Sequence, residues 1–271
     1  MNDALLKYQG EIFNDPSRFI IIEKSRRVGV TWVVAGKAVY DRLHIKKDLW
    51  FVSANLSTAK EFVRYVKEWS QVYNDILGHE LIDLSLATTE TVTLPNGSRI
   101  GVLSSNPVAL RGLSGSVVLD EFAFHEQQEE LLAAAQPVTT WNNGGMLICS
   151  THNGPGTLFY TMCQQAKEKT IPYKHYLIDL PRALKDGFAL KVPGDHQKHL
   201  PDKEACDRAF YEYLKSTCVS EDVFKQEFLA QPLAANSLIT AEEYDKLALW
   251  EVPETLDPEH TYNPLHVGID V

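Results

Sequence analysis

The sequence predicts an α/β fold: an open, mostly parallel sheet with helices on both faces. Three observations carry this. Four short apolar runs, at 19–22, 49–52, 117–119 and 146–149, have the length and branching of buried strands. Helical spacings lie between them, at 31–43, through Phe62, Val63, Val66 and Trp69, and at about 126–135. Strands separated by helices pair in parallel through crossover connections, and such sheets place their sites at the carboxyl ends of the strands.

Taken in order, the run 19–22 is the first strand, followed by a polar loop and a helix carrying Trp32, Val33, Val34, Ala38, Val39 and Leu43. After the second strand, Ser57 is placed to cap the next helix. Residues 91–94 and 99–103 flank Pro95-Asn96-Gly97-Ser98, a hairpin signal. The runs 117–119 and 146–149 complete the buried strands. From Pro181 the character changes. Residues 185–202, rich in Gly, Pro, His and Lys, read as a loop, and helical patterns follow at 202–216 and 221–229. A capping box, Thr240-Ala241-Glu242-Glu243, opens a short helix, and Pro253, Pro258 and Pro264 punctuate a linker. Residues 266–271 look like a strand cut short, which suggests a fragment boundary.

Composition narrows the function. The 271 residues are 44% hydrophobic, enough for a sizeable core, and 26 basic against 36 acidic side chains give a net charge of −10. No apolar run approaches the length of a membrane-spanning helix, so no membrane contact is expected. The first ten residues do not have the pattern of a signal peptide. Cys149, Cys163, Cys206 and Cys218 show no C-x-x-C spacing, which disfavours a zinc ribbon or a disulfide framework. A soluble intracellular protein is expected. The acidic balance argues against a basic nucleic-acid coat but leaves room for a local basic surface. Lys60, Arg64 and Lys67 form one candidate stripe, though a solvated helix face explains them more simply. Asp195, His196 and His199 could be metal ligands, yet in a Gly/Pro/Lys loop they read as solvated.

The chemistry concentrates at two strand ends. Glu23-Lys24-Ser25-Arg26-Arg27-Val28-Gly29-Val30-Thr31 joins a buried strand to a helix, where backbone N–H groups and the helix N-terminus favour an anion. Against the phosphate-loop pattern G-x-x-x-x-G-K-S/T, Gly29 and Thr31 fit. Val30 occupies the lysine position and Lys24 the first glycine position. The chemistry closes if Lys24 folds its ammonium over the phosphates, with Arg26 or Arg27 adding charge and the Thr31 hydroxyl ligating Mg²⁺. A basic turn without a ligand is the plain alternative.

Val117-Val118-Leu119-Asp120-Glu121 is an apolar strand ending in two carboxylates. The first suits Mg²⁺ and the second suits a general base that polarises water, while acids complementing a helix start are the plain alternative. Cys149-Ser150-Thr151-His152-Asn153-Gly154 is a strand end whose hydroxyls can sense a γ-phosphate, or merely a strand, turn and cap.

These elements together resemble the N-terminal ATPase region of the large terminase subunit, the DNA-packaging motor of tailed bacteriophages and prophages. Tyr8-Gln9 is placed like the family's adenine-contacting glutamine. Lys24 through Thr31 resembles the deviant loop of the branch whose lysine stands at the front. Leu110-Arg111-Gly112-Leu113 is similar to the element that supplies an arginine finger in some relatives, and a surface arginine is an equal alternative. Ser150 and Thr151 fall in the coupling motif, from which His152 departs. Phe224-Lys225-Gln226-Glu227-Phe228 resembles a segment leading to a second domain. Val267-Gly268-Ile269-Asp270 resembles the first strand of an RNase H-like nuclease, with Asp270 its first metal ligand.

The resemblance implies a P-loop NTPase of the ASCE type over 1–180, a helical subdomain and linker over 181–262, and a truncated nuclease strand over 263–271. It implies ATP and Mg²⁺ as cofactors. Gln9, Lys24, Ser25, Arg26, Arg27, Gly29, Thr31, Ser150 and Thr151 would contact nucleotide. Thr31 and Asp120 would hold Mg²⁺, and Glu121, Arg26 and Arg111 would be catalytic. The implied partners are double-stranded DNA, the portal protein of the procapsid, the small terminase subunit and further copies in a ring. The place would be the host cytoplasm, transiently at the portal vertex. No nuclease activity is expected from Asp270 alone. The competing functions are a helicase-like DNA-dependent ATPase and a catalytically silent docking subunit of P-loop fold.

Overall fold

The computed structural model describes residues 5–192, 200 and 202–233, with Leu56 described by its backbone alone. These residues fall in one compact unit that ends at Ala234. Asp195, His196, His199, the capping box at 240–243, the proline-punctuated linker and Asp270 lie outside the described residues.

The sheet has seven strands: β1 (Phe19–Lys24), β2 (Leu49–Ser53), β3 (Thr91–Thr93), β4 (Arg99–Ser104), β5 (Ser116–Asp120), β6 (Met146–Ser150) and β7 (Lys174–Ile178). Their order is β3-β4-β2-β5-β6-β1-β7. The β3–β4 hairpin is antiparallel and the other pairings are parallel. The strands read from the sequence at 19–22, 49–52, 91–94, 99–103, 117–119 and 146–149 are present, while the one read at 266–271 lies outside the described residues. β7 was not among them, because it is a half-buried strand pairing along β1, without the continuous apolar run of its neighbour.

Alternation along the strands feeds two cores. Ile20 and Ile22 of β1 point to the face covered by α1 (Lys7–Asn14), α2 (Val30–His44) and α3 (Leu56–Leu77), among Tyr8, Val34, Phe62 and Trp69. Ile21 points to the opposite face, where α4 (Gln128–Thr140) and α5 (Leu158–Lys167) supply Leu131, Ala135, Phe159 and Met162. Each buried Val, Leu, Ile, Phe or Met among them contributes about 1.5–3 kcal/mol by leaving water. Phe51 stacks on Phe62 with ring centroids 3.9 Å apart, fixing α3 to β2. α2 can approach α3 closely because residue 36 is glycine: a Cβ there would stand 2.5 Å from the Trp69 ring.

Three local expectations are corrected. The cap of α3 is Asn55, whose Oδ1 accepts from the Thr58 N–H at 2.8 Å, and Ser57 only donates its hydroxyl to that same oxygen. α4 runs on to Thr140 with Pro137 inside it, past the end that its apolar spacing suggested. After β7 come α6 (Leu180–Lys185), α7 (Phe188–Lys191), α8 (Lys203–Thr217) and α9 (Glu221–Phe228), so part of the expected loop 185–202 is helical. Leu180, Leu184, Ala189, Phe210 and Phe224 gather a third cluster among them. Among the described residues no helix is long and apolar enough to cross a membrane.

Candidate functional site

The carboxyl ends of β1, β2, β5 and β6 open onto a cavity of about 660 Å³, a size typical of ligand pockets. Its floor is the turn between β1 and α2. Arg27 (φ 58°) and Gly29 (φ 74°) adopt left-handed backbone there, a geometry that turns successive N–H groups inward. A Cβ at Gly29 would also stand 2.7 Å from Gln9 Nε2, so a larger residue there would have to displace that amide. The first two amides of the turn are already bonded: Ser25 N–H to Ile178 O at 2.7 Å and Arg26 N–H to Glu227 O at 2.8 Å. An anion is therefore offered the later part of the turn and the start of α2, rather than the whole loop.

Lys24 is the turn's buried cation. Its Nζ lies 2.5 Å from Glu121 Oε1, and its side chain is 6% exposed. Burial works to lower its pKa, but Glu121 and Asp120 outweigh burial and hold it above the ordinary lysine value. Asp120, at the end of β5, is equally buried. Burial raises its carboxyl pKa above the ordinary value, Lys24 opposes that rise and Glu121 adds to it. Thr31 Oγ1 lies 3.5 Å from Asp120 Oδ1, and the Cys149 thiol donates to the same oxygen at 3.1 Å. A hydroxyl and a carboxylate at one wall of a cavity are the hard oxygen donors that suit Mg²⁺, which keeps several waters and shares phosphate oxygens. Glu121 itself has φ 50°, a backbone state costing of order 1–3 kcal/mol for a non-glycine residue, so its placement is imposed by its surroundings.

The structure brings most of the sequence-selected residues together. Lys24, Ser25, Arg26, Arg27, Gly29, Thr31, Asp120, Glu121 and Thr151 all line the cavity. Ser150 is fully buried behind it, where its hydroxyl accepts from the Ala123 N–H at 3.1 Å and lies 3.4 Å from Glu121 Oε2. The Thr151 N–H donates to that same Glu121 oxygen at 3.4 Å. Gln9 sits against the turn, not on the cavity wall. Its amide accepts from the Leu6 N–H at 3.0 Å and its Nε2 lies 3.5 Å from Val28 O. Arg26 reaches away to Glu227, with Nε 3.1 Å from Oε2. Arg111 is exposed and lines a separate cavity of about 710 Å³ with Leu113, Pro137 and Trp141. Of the candidate basic stripe, Arg64 pairs with Glu61 and Glu68, and Lys60 lies 4.0 Å from Glu90.

Sequence reasoning missed the aromatic wall, Trp32, Tyr65 and Phe124, and the acid Glu227. It also missed Glu23, which is 2% exposed. The only signal for Glu23 was a charge at the end of an otherwise apolar strand.

With the geometry in hand, known proteins can be compared. Residues 21–233 match the family described as terminase large subunit, T4likevirus-type, N-terminal. The chain is 33% identical over 245 residues to the Mu-like prophage FluMu protein gp28 of Haemophilus influenzae, covering 87% of this chain and 47% of that protein. It is 34% identical over 202 residues to the probable terminase large subunit gp28 of Escherichia phage Mu, covering 70% of this chain and 36% of that protein. It therefore spans less than half the length of these relatives. Among solved structures, the ATPase domain of the Thermus phage P74-26 large terminase superposes with a TM-score of 0.58 at 16% identity, covering 83% of this chain and 92% of that domain. That likeness speaks to the fold, a P-loop fold with a mostly parallel sheet. The match along residues 21–233 and the identity to the two phage proteins agree with it: the chain belongs to the terminase large subunit family and comprises the N-terminal P-loop part of such a protein.

Proposed function

We propose that this chain binds and hydrolyses Mg²⁺-ATP, and that hydrolysis drives double-stranded DNA into a procapsid. The observation that carries the reading is the constellation of Lys24, Glu121, Asp120 and Thr31 on one wall of the 660 Å³ cavity. The family membership and the ATPase-domain likeness of the P74-26 neighbour support it.

In this reading the amides from Arg27 to Thr31 and the Lys24 ammonium hold the phosphates, while Thr31 and Asp120 hold Mg²⁺, which neutralises phosphate charge when bound. Glu121 orients water and takes its proton. Phosphoryl transfer asks little covalent chemistry of the protein, so catalysis here is positioning and charge stabilisation. Trp32, Tyr65 and Phe124 offer apolar surface for a base. Arg26 would reach the γ-phosphate only by leaving Glu227. Arg111 would complete the site of a neighbouring copy in a ring, consistent with its exposure and its separate cavity. Ser150 and Thr151, both bonded to Glu121, would relay a change at the phosphate to β6 and beyond. Gln9 would act by supporting the turn. The proposal extends to the portal protein, the small terminase subunit and DNA as partners, and to residues 181–262 as a helical link toward a nuclease domain.

Steady-state Mg²⁺-ATP hydrolysis over a range of protein concentrations tests it, for the wild type and Glu121→Gln. Removing a general base typically costs about 10²–10⁴-fold in turnover. Turnover in the wild type that survives Glu121→Gln undiminished sinks the assignment of the base. A wild type that neither hydrolyses nor binds ATP sinks the whole reading.

A further inference from the structure

Glu23 is a carboxylate in the wrong place for the chemistry just described. Alternation along β1 turns Lys24 toward the cavity and Glu23 toward the opposite face, where α5 packs. An isolated carboxylate buried there costs several kcal/mol unless it is paired. It is paired on every side. His152 Nε2 lies 3.3 Å from Oε2, and on Oε1 His175 Nε2 of β7 stands at 3.0 Å and Lys167 Nζ of α5 at 2.8 Å. Burial, and after it the nearby Glu23 carboxylate, push up the pKa of the Cys163 thiol, one helical turn before Lys167. Burial opposes ionisation of Glu23, but the bonds from His152, His175 and Lys167 outweigh it and hold the carboxyl well below the ordinary range. His152 is 1% exposed, and among the described residues its Nδ1 has no hydrogen-bond partner, so there the Glu23 contact is the one polar anchor of its ring.

These contacts close a circuit. Glu23 precedes Lys24 in the chain, Lys24 bonds Glu121 at 2.5 Å, Glu121 accepts from the Thr151 N–H at 3.4 Å, and Thr151 precedes His152, which returns to Glu23 at 3.3 Å. We propose that Glu23 and His152 are positioning residues whose contact locks the loop after β6 to the phosphate-binding strand, so that a change at Lys24 and Glu121 on nucleotide binding is passed to Thr151, His152 and α5. This rests on the nucleotide-site reading above.

The device acts through mechanical closure. When phosphate draws Lys24 from Glu121, the Glu121–Thr151 contact shifts. The loop can follow only in register with β1, because His152 is fastened to the residue next to Lys24. Lys167 hands the same displacement to the end of α5. Without the Glu23–His152 contact, Thr151 is free to relax and the signal ends at the pocket.

The test uses the intact chain and the variants Glu23→Gln, His152→Gln and both together, with Lys24→Ala as a control. Affinity for the non-hydrolysable analogue adenylyl imidodiphosphate and amide hydrogen exchange of residues 150–153, with and without it, are measured. The single variants are expected to bind within about twofold of wild type. They should lose at least about fivefold of the nucleotide-dependent protection, with the double variant no worse than either single, as contacting residues show. A mainly architectural role would lower the melting temperature yet leave the nucleotide-dependent protection intact, and that result overturns the proposal. If Glu23→Gln does not fold, His152→Asn carries the same comparison. Failure of the underlying reading looks different: the wild type does not bind the analogue, or Lys24→Ala binds it as tightly as wild type, and the proposal falls with it.

Discussion

Lys24 and Glu121 stand 97 positions apart in the chain and 2.5 Å apart in space, one a buried ammonium and the other a carboxylate held in left-handed backbone. An incoming phosphate must compete with Glu121 for Lys24. In the proposed reading this would release the carboxylate toward water, so that binding and activation of the base would be one event.

Lys24→Ala is therefore expected to do two things at once. Nucleotide binding should weaken by about 100-fold or more, as expected when a charge-assisted phosphate contact is lost from a desolvated site. Stability should also fall by about 3 kcal/mol, since Asp120 is left buried without its cation. Titration with nucleotide and denaturant unfolding check the two separately. Undiminished binding would remove Lys24 from the phosphate site.

Arg26 gives both its backbone N–H and its guanidinium to Glu227 of α9. Glu227→Gln should free the side chain while leaving the backbone bond. Exposed ion pairs of this kind contribute about 0.2–1 kcal/mol, so ATP affinity should rise by about 1.4- to fivefold. Arg26→Ala should lower turnover and abolish any benefit of Glu227→Gln. Equal affinities in wild type and Glu227→Gln would show that the two contacts do not compete.

Arg111 lines a cavity of its own and no part of the candidate site. If it completes a neighbour's site, turnover per subunit rises with protein concentration and Arg111→Ala abolishes that rise, with binding unchanged. Arginine fingers supplied in trans are worth about 10³–10⁵-fold. Mixing Arg111→Ala with Glu121→Gln should restore activity, because each supplies what the other lacks. An inactive mixture with an active wild type places Arg111 outside the reaction.

The Glu23 cluster also sets an acid limit. Its folded-state pKa is held below the ordinary value of 4.5, so below that pH the unfolded chain binds the proton first. The stabilisation by ionised Glu23 is thus complete above about pH 4.5 and is lost as pH falls toward the folded value. Melting temperatures of wild type and Glu23→Gln should differ most above about pH 4.5, and the difference should shrink steadily as pH falls below that value. Asp120, whose carboxyl pKa is raised, is present in both and cancels in the comparison. A difference that does not change with pH would mean that Glu23 is held by packing rather than by charge.

Much of the fold was legible because it rests on local signals. Apolar runs at 19–22 and 49–52 and the Pro95-Asn96-Gly97-Ser98 turn each encode their own element by burial and backbone preference. β7 was not legible, since Lys174-His175-Tyr176-Leu177-Ile178 becomes a strand by pairing with β1, not by its own periodicity. The sequence pointed to Ser57 as the cap, whereas the structure uses Asn55; which residue turns out of the helix is decided by where the chain leaves β2.

The site divides in the same way. Lys24, Thr31, Asp120 and Glu121 could be picked out because each occupies a strand end or helix start that its own segment defines. Their partners could not. Glu23 with His152 spans 129 positions, and Arg26 with Glu227 joins the first strand's turn to the last described helix. Such pairs follow from the order β5-β6-β1-β7 and from the packing of α5 and α9, which no local period encodes. The sequence by itself determined which residue types end which strands, because burial and turn chemistry act over a few residues. Only the tertiary structure decided which of those charged groups share a desolvated space, because that depends on strand order, and there an unpaired charge is too costly to leave alone.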